Sequence, residues 1–82
     1  MSRLINRPVA VAAGPDGAPR TFQYQGVLLQ VSRVLDHWLE TGRWWEGERE
    51  RETYRVATAA GGVYELTREV PDGVWFLYKA YD

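Results

Sequence analysis

Apolar residues along the chain fall into short alternating runs divided by turn-forming residues. Val9-Ala10-Val11-Ala12 is followed by Gly14-Pro15-Asp16-Gly17, then by Thr21-Phe22-Gln23-Tyr24, Gln25-Gly26 and Val27-Leu28-Leu29-Gln30-Val31. Later, Ala60-Gly61-Gly62 divides Tyr54-Arg55-Val56-Ala57-Thr58 from Val63-Tyr64-Glu65-Leu66-Thr67, and Pro71-Asp72-Gly73 divides the latter from Val74-Trp75-Phe76-Leu77-Tyr78. Each gap has hairpin length, and the runs are rich in Val, Tyr, Thr, Phe and Trp, which suit a half-buried pleated surface. The pattern predicts a mainly β domain, a small curled antiparallel meander or SH3-like barrel of about five or six strands.

Alternation also assigns faces, because successive strand residues point to opposite sides. Tyr54, Val56, Tyr64 and Leu66 form one core face, and Arg55, Ala57, Val63, Glu65 and Thr67 point the other way. In the last strand both faces are apolar and aromatic, which predicts cover on both sides. Trp38, Trp45, Trp75 and Leu77 complete the predicted core. The stretch 27–41 has two readings. Val27, Leu29 and Val31 alternate as a strand, whereas Val31, Val34, Leu35, Trp38 and Leu39 fit the i, i+3, i+4, i+7, i+8 stripe of a helix capped by Gly42. A long bulged strand reaching about Trp38 is the first expectation; a short helix over 31–41, giving an α+β domain, is the alternative. Residues 1–6 are expected to be a flexible end and 7–82 a single β domain.

With 82 residues the chain is near the lower limit for burying a self-sufficient core, and it has no Cys to brace one with disulfides. Four Trp, five Tyr and two Phe supply the apolar area instead. Absence of Cys also removes thiolate nucleophiles and Cys-rich zinc sites. Neither a signal-peptide run nor a membrane-length apolar stretch is present, so a cytoplasmic protein without a membrane is expected. A formal net charge of −1 and a sequence pI of about 5.8 argue against a general charge-driven grip on nucleic acid but allow a local basic patch. The alternating charges of Glu48-Arg49-Glu50-Arg51-Glu52 read as a solvated face crossed by weak ion pairs.

The catalytic inventory is thin. His37 is the sole imidazole and Ser2 and Ser32 are the only serines, so no Ser/His/Asp arrangement is evident and no enzyme is expected. His37 beside Asp36 reads more simply as a surface or structural histidine than as an oriented base. A small enzyme would need acidic neighbours around His37 in space. No spacing for a zinc or calcium site is recognisable, and no cofactor is expected. Gly14-Pro15-Asp16-Gly17 lacks the spaced glycines and Lys of a phosphate loop, and Gly61-Gly62 supplies the permissive φ of a tight hairpin.

What remains is aromatic and basic. Trp44 and Trp45 are adjacent, so one strand face cannot bury both indoles. The expectation is that Trp45 fills the core and that Trp44, with Arg43, Arg49, Arg51 and Arg55, forms a contact surface. Bases stack on indoles and guanidinium groups track phosphates, so single-stranded nucleic acid is one candidate partner. A protein partner is the other, since Trp and Arg also anchor protein interfaces, and a homo-oligomer stays open. The bland reading packs Trp44 along an Arg stem or over a barrel end.

The succession Trp38, Gly42-Arg43-Trp44-Trp45, Glu48, Arg51, Tyr54-Arg55-Val56, Val63-Tyr64-Glu65-Leu66 and Trp75-Phe76-Leu77-Tyr78-Lys79-Ala80-Tyr81-Asp82 resembles a small bacterial domain of unknown function. That domain occurs free-standing and at the C-terminus of proteins resembling Y-family translesion polymerases of the damage-inducible mutagenesis cassette. The resemblance covers roughly residues 7–82 and implies an accessory role in DNA repair or damage tolerance. Every polymerase motif is missing here, so no polymerase activity is implied, and no binding residues are carried over.

Overall fold

In the computed structural model, residues 2–41, 44–47, 49–70 and 73–81 are described. They form seven antiparallel strands: β1 (Ser2–Pro8), β2 (Val11–Ala13), β3 (Pro19–Tyr24), β4 (Val27–Glu40), β5 (Arg51–Thr58), β6 (Val63–Glu69) and β7 (Trp75–Tyr81), with a 3-10 turn at Trp44–Glu46. The sheet order is β1-β7-β6-β5-β4-β3-β2, curled into a half-barrel. Its two ends are contiguous in sequence. Between β1 and β2 the Val9 N–H donates to the Trp75 carbonyl, and the Ala10 carbonyl accepts from the Gln23 N–H. The domain is therefore mainly β, with one strand more than the sequence pattern counts. The extra strand is β1, which pairs with β7 from Ser2 to Pro8, so residues 2–6 are not the free end expected of them.

Local chemistry sets the turns. Gln25 and Gly26 both have positive φ, 53° and 76°, the backbone of a two-residue hairpin whose twist matches its strands. Asp16 Oδ1 accepts from the Ala18 N–H at 3.1 Å and stabilises the turn into β3. A Cβ on Gly73 would lie 2.2 Å from the Glu69 carbonyl oxygen, so that hairpin closes only around glycine.

The alternative helix over 31–41 is not formed. β4 is one strand, with register shifts between Val31 and Arg33 and between Val34 and Asp36. Each inserts one unpaired residue, Ser32 and then Leu35. Inner-face positions consequently run Val31, Val34, His37 and Leu39, so the bulges bring Val31 and Val34 into helical spacing, while Leu35 and Trp38 complete the apparent stripe from the bulge and from the opposite face. β4 is also shared by staggered neighbours. Residues 27–30 pair with β3, and residues 31–40 pair with β5 on the opposite side.

Phe22, Tyr54, Val56, Leu66 and Leu77 form the buried core on the concave face, with Ile5, Val11, Leu29, Val31, Tyr64 and Trp75 packed around them. In β7 a bulge at Tyr78 keeps Trp75, Leu77 and Ala80 on that face and moves Lys79 to the other. Alternation without the bulge puts Lys79 and Ala80 on the wrong sides.

Candidate functional site

On the convex face the register places Arg55 opposite Glu65 in β6 and Asp36 in β4. Glu65 is only 3% exposed, and burying a carboxylate requires partners. Arg55 supplies two, donating from Nε at 3.3 Å and Nη2 at 3.1 Å to Glu65 Oε2, and the Tyr81 hydroxyl donates to the same oxygen. Arg55 Nη1 also lies 3.9 Å from Asp36 Oδ2. Its guanidinium sits over the Trp38 ring at 5.3 Å and the Tyr81 ring at 5.6 Å. Hydrogen bonding to Glu65 holds Arg55 still more firmly protonated than usual. The same carboxylate, helped by burial, pushes the Tyr81 hydroxyl up. Nearby, the Thr53 hydroxyl donates to Thr67 at 3.0 Å, so the centre of this face is polar yet closed.

A second cluster lies at the end of the concave face. Glu52 Oε1 accepts from Arg68 Nε and Nη2 at 3.1 and 3.0 Å, and its Oε2 lies 3.0 Å from His37 Nε2. His37 stacks flat on Tyr54, with centroids 4.1 Å apart, and the Arg68 guanidinium covers Trp75 at 4.9 Å. Burial pushes the Glu52 carboxyl up, but the hydrogen bonds and charges of His37 and Arg68 outweigh it and hold it below its ordinary value. Burial, with the Glu52 charge beside it, pushes Tyr54 up. His37 thus has the acidic neighbours that base catalysis requires. Its Nε2 is engaged by Glu52, whose other oxygen is held by Arg68, and its ring lies flat on Tyr54. Among the described residues no group of three or more His, Asp or Glu is arranged to hold a metal.

Of the residues expected to form a contact surface, the side chains of Arg49, Arg51 and Arg55 are described. Arg43 lies outside the described residues, and Trp44 is described by its backbone in the 3-10 turn. Arg49 is exposed in the segment leading into β5. Arg51 shares the convex face with Arg55, four residues and about 13 Å away, and lines a hollow with Asn6, Thr67, Glu69 and Phe76. Arg55 is committed to the network just described. Of the expected core, Tyr54, Val56, Leu66 and Leu77 are buried, while Trp38, Tyr64 and Trp75 are half-buried. Trp45 is not core: it is 68% exposed. The 3-10 turn takes it out of the strand before β5 begins, so strand alternation does not govern which indole is buried.

Sequence reasoning missed Glu65 and the apolar surface of β4. Among the described residues Val27, Leu28, Val34, Leu35 and Leu39 are exposed on β4, and Trp45 follows beyond its end. Alternation alone treats such side chains as core, since it records periodicity and not whether a neighbouring layer exists.

The chain belongs to the DUF6504 family, a domain of unknown function, whose model matches residues 1–82. No curated protein and no solved structure matches it significantly. Among the described residues no helix is long and apolar enough to cross a membrane.

Proposed function

We propose that this member of the DUF6504 family is a non-enzymatic binding or adaptor module whose contact is with protein rather than nucleic acid. The observation that carries the reading is the apolar surface of β4, where Val34, Leu35 and Leu39 stand exposed on one short stretch ending near Trp45. Clustered exposed apolar side chains mark interaction sites more reliably than scattered ones. The electrostatics point the same way. Arg55 and Arg68 are answered by Glu65, Asp36 and Glu52, so their charges offer little to phosphates. A setting in DNA repair or damage tolerance rests on the resemblance of the Gly42-Arg43-Trp44-Trp45 and Trp75-Phe76-Leu77-Tyr78 segments alone.

Tryptophan fluorescence during titration with short single-stranded DNA, at about 20 mM and about 300 mM salt, tests this reading, because counterion release acts across that range. The expected result is no saturable quenching at either salt. Quenching that saturates at low salt and fades at high salt would overturn the choice of protein over nucleic acid and return Arg49 and Arg51 to the contact surface.

A further inference from the structure

We propose that the outer edge of β4, Ser32–Glu40, is a homodimer interface that pairs antiparallel with the same edge of a second copy about a twofold axis at His37. This deepens the binding-module reading and rests on it for the site. Three observations converge. The first is topological: in this stretch the described ladder partner is β5 alone, because β3 stops pairing at Gln30. Strand edges of this kind present alternate N–H and C=O groups outward and template another strand. The second is exposure, since Ser32 to His37, Leu39 and Glu40 are all exposed and include three large apolar residues.

The third is self-complementarity, and it decides the occupant. An antiparallel pair requires directly opposed residues to share a face. The β5 register puts Arg33, Asp36, Trp38 and Glu40 on the convex face and Val34, His37 and Leu39 on the concave face, with Leu35 as the inserted residue. Setting His37 against its own copy and stepping over Leu35 opposes Asp36 to Trp38, Val34 to Leu39 and Arg33 to Glu40. Every pair matches in face. Symmetry makes each of the unlike pairs twice, giving two ion pairs and two apolar pairs in one interface. An unrelated strand has no reason to meet this pattern, whereas a second copy meets it automatically. Asp36 Oδ1 accepts from the His37 N–H at 2.9 Å in the single chain, so pairing at the axis requires this side-chain cap to give way in both copies. One strand per copy is a small interface, so dissociation constants from micromolar to a few hundred micromolar are expected.

Sedimentation equilibrium of the full chain from about 10 µM to about 1 mM tests the proposal. The expected result is a monomer–dimer equilibrium. R33E or E40R alone should weaken it by about tenfold, and R33E/E40R together should restore it, because the swap rebuilds both ion pairs. Circular dichroism checks that these exposed substitutions leave the fold intact. A chain monomeric throughout, or a dimer that the single swaps do not weaken or the double swap does not restore, would overturn the interface. Failure here leaves the choice between protein and nucleic acid to the DNA titration, and salt-sensitive quenching there leaves the dimer to sedimentation.

Discussion

The centre of β5 and β6 and the outer half of β4 have similar alternating sequences and opposite fates. In the centre, concave-facing Tyr54, Val56 and Leu66 are buried, and so are convex-facing Thr53, Glu65 and Thr67. On β4, Val34 and Leu39 face the same concave side and remain exposed. Position in the sheet accounts for the difference. β5 and β6 have ladder neighbours on both edges, and Phe22, Ile5, Val11 and Leu77 pack with their concave side chains, whereas residues 31–40 of β4 pair, among the described residues, only with β5. Burial follows the number of covering layers, and a strand's own periodicity supplies only the two faces to be covered.

Truncation should separate the two regions most sharply. Leu66→Ala removes a fully buried side chain from the central cluster and should cost about 2–5 kcal/mol by urea denaturation. Leu39→Ala, measured below the concentration of any self-association, should cost no more than about 0.5 kcal/mol. Similar losses at both positions would erase the distinction between a covered centre and an exposed edge. The polar side of the centre gives the next largest effect. Glu65→Ala leaves Arg55 and Tyr81 without their shared acceptor and should cost about 1–3 kcal/mol. Asp36→Ala removes the other, more distant carboxylate near Arg55 and should cost under about 0.5 kcal/mol, because that pair is open to solvent.

The same contrast explains what could be read from the sequence. Alternation identified Tyr54, Val56, Tyr64 and Leu66 as one face and Arg55 and Glu65 as the other, because no bulge interrupts the β5–β6 ladder. The tight turn after Thr58 then fixes Arg55 opposite Glu65, so this pair was within reach of register reasoning. On β4 the reading stayed divided between strand and helix, since bulges at Ser32 and Leu35 bring Val31 and Val34 into helical spacing. Bulges are written in backbone geometry and leave little compositional trace. β1 was missed for a related reason: Ser2-Arg3-Leu4-Ile5-Asn6-Arg7 has weak alternation and gains its order from pairing with β7. That Arg55 of the expected contact surface is committed to Glu65 was not legible, because sequence proximity of Trp and Arg says nothing about which guanidinium groups are already neutralised.

A pH series sharpens the comparison at the junction of the two regions, where His37 of β4 meets Glu52 of β5. Glu52 has a folded-state pKa below its ordinary value of 4.5. Its contribution is therefore present above about pH 4.5 and is lost as pH falls through the lower folded value. Glu52→Gln should cost roughly 1–2 kcal/mol at neutral pH, and the gap between variant and wild type should close on acidification below pH 4.5. Tyr81 is shifted the opposite way, upward from 10.0, so its contribution is present below pH 10 and disappears as pH rises through the higher folded value. Tyr81→Phe should accordingly flatten the alkaline limb and leave the acid limb unchanged. A pH-independent gap for Glu52→Gln would mean that the His37–Glu52–Arg68 cluster does not tie the two regions together.

A small effect is also expected at Trp45, in the 3-10 turn that follows β4. An indole buried in a core costs about 3–5 kcal/mol to truncate, but Trp45 is 68% exposed and leaves most of its surface in water in the native state. Little apolar area is returned to solvent when such a ring is removed, so Trp45→Ala should lower stability by less than about 1 kcal/mol. Urea midpoints of Trp45→Ala and Trp75→Ala measured side by side make the test internal, since Trp75 packs against the core and carries Arg68 over its ring. Trp75→Ala should be the more damaging by a wide margin. If Trp45→Ala proved equally destabilising, its ring would belong to the covered half of the molecule, and the apolar surface would end with Leu39 instead of continuing past the strand.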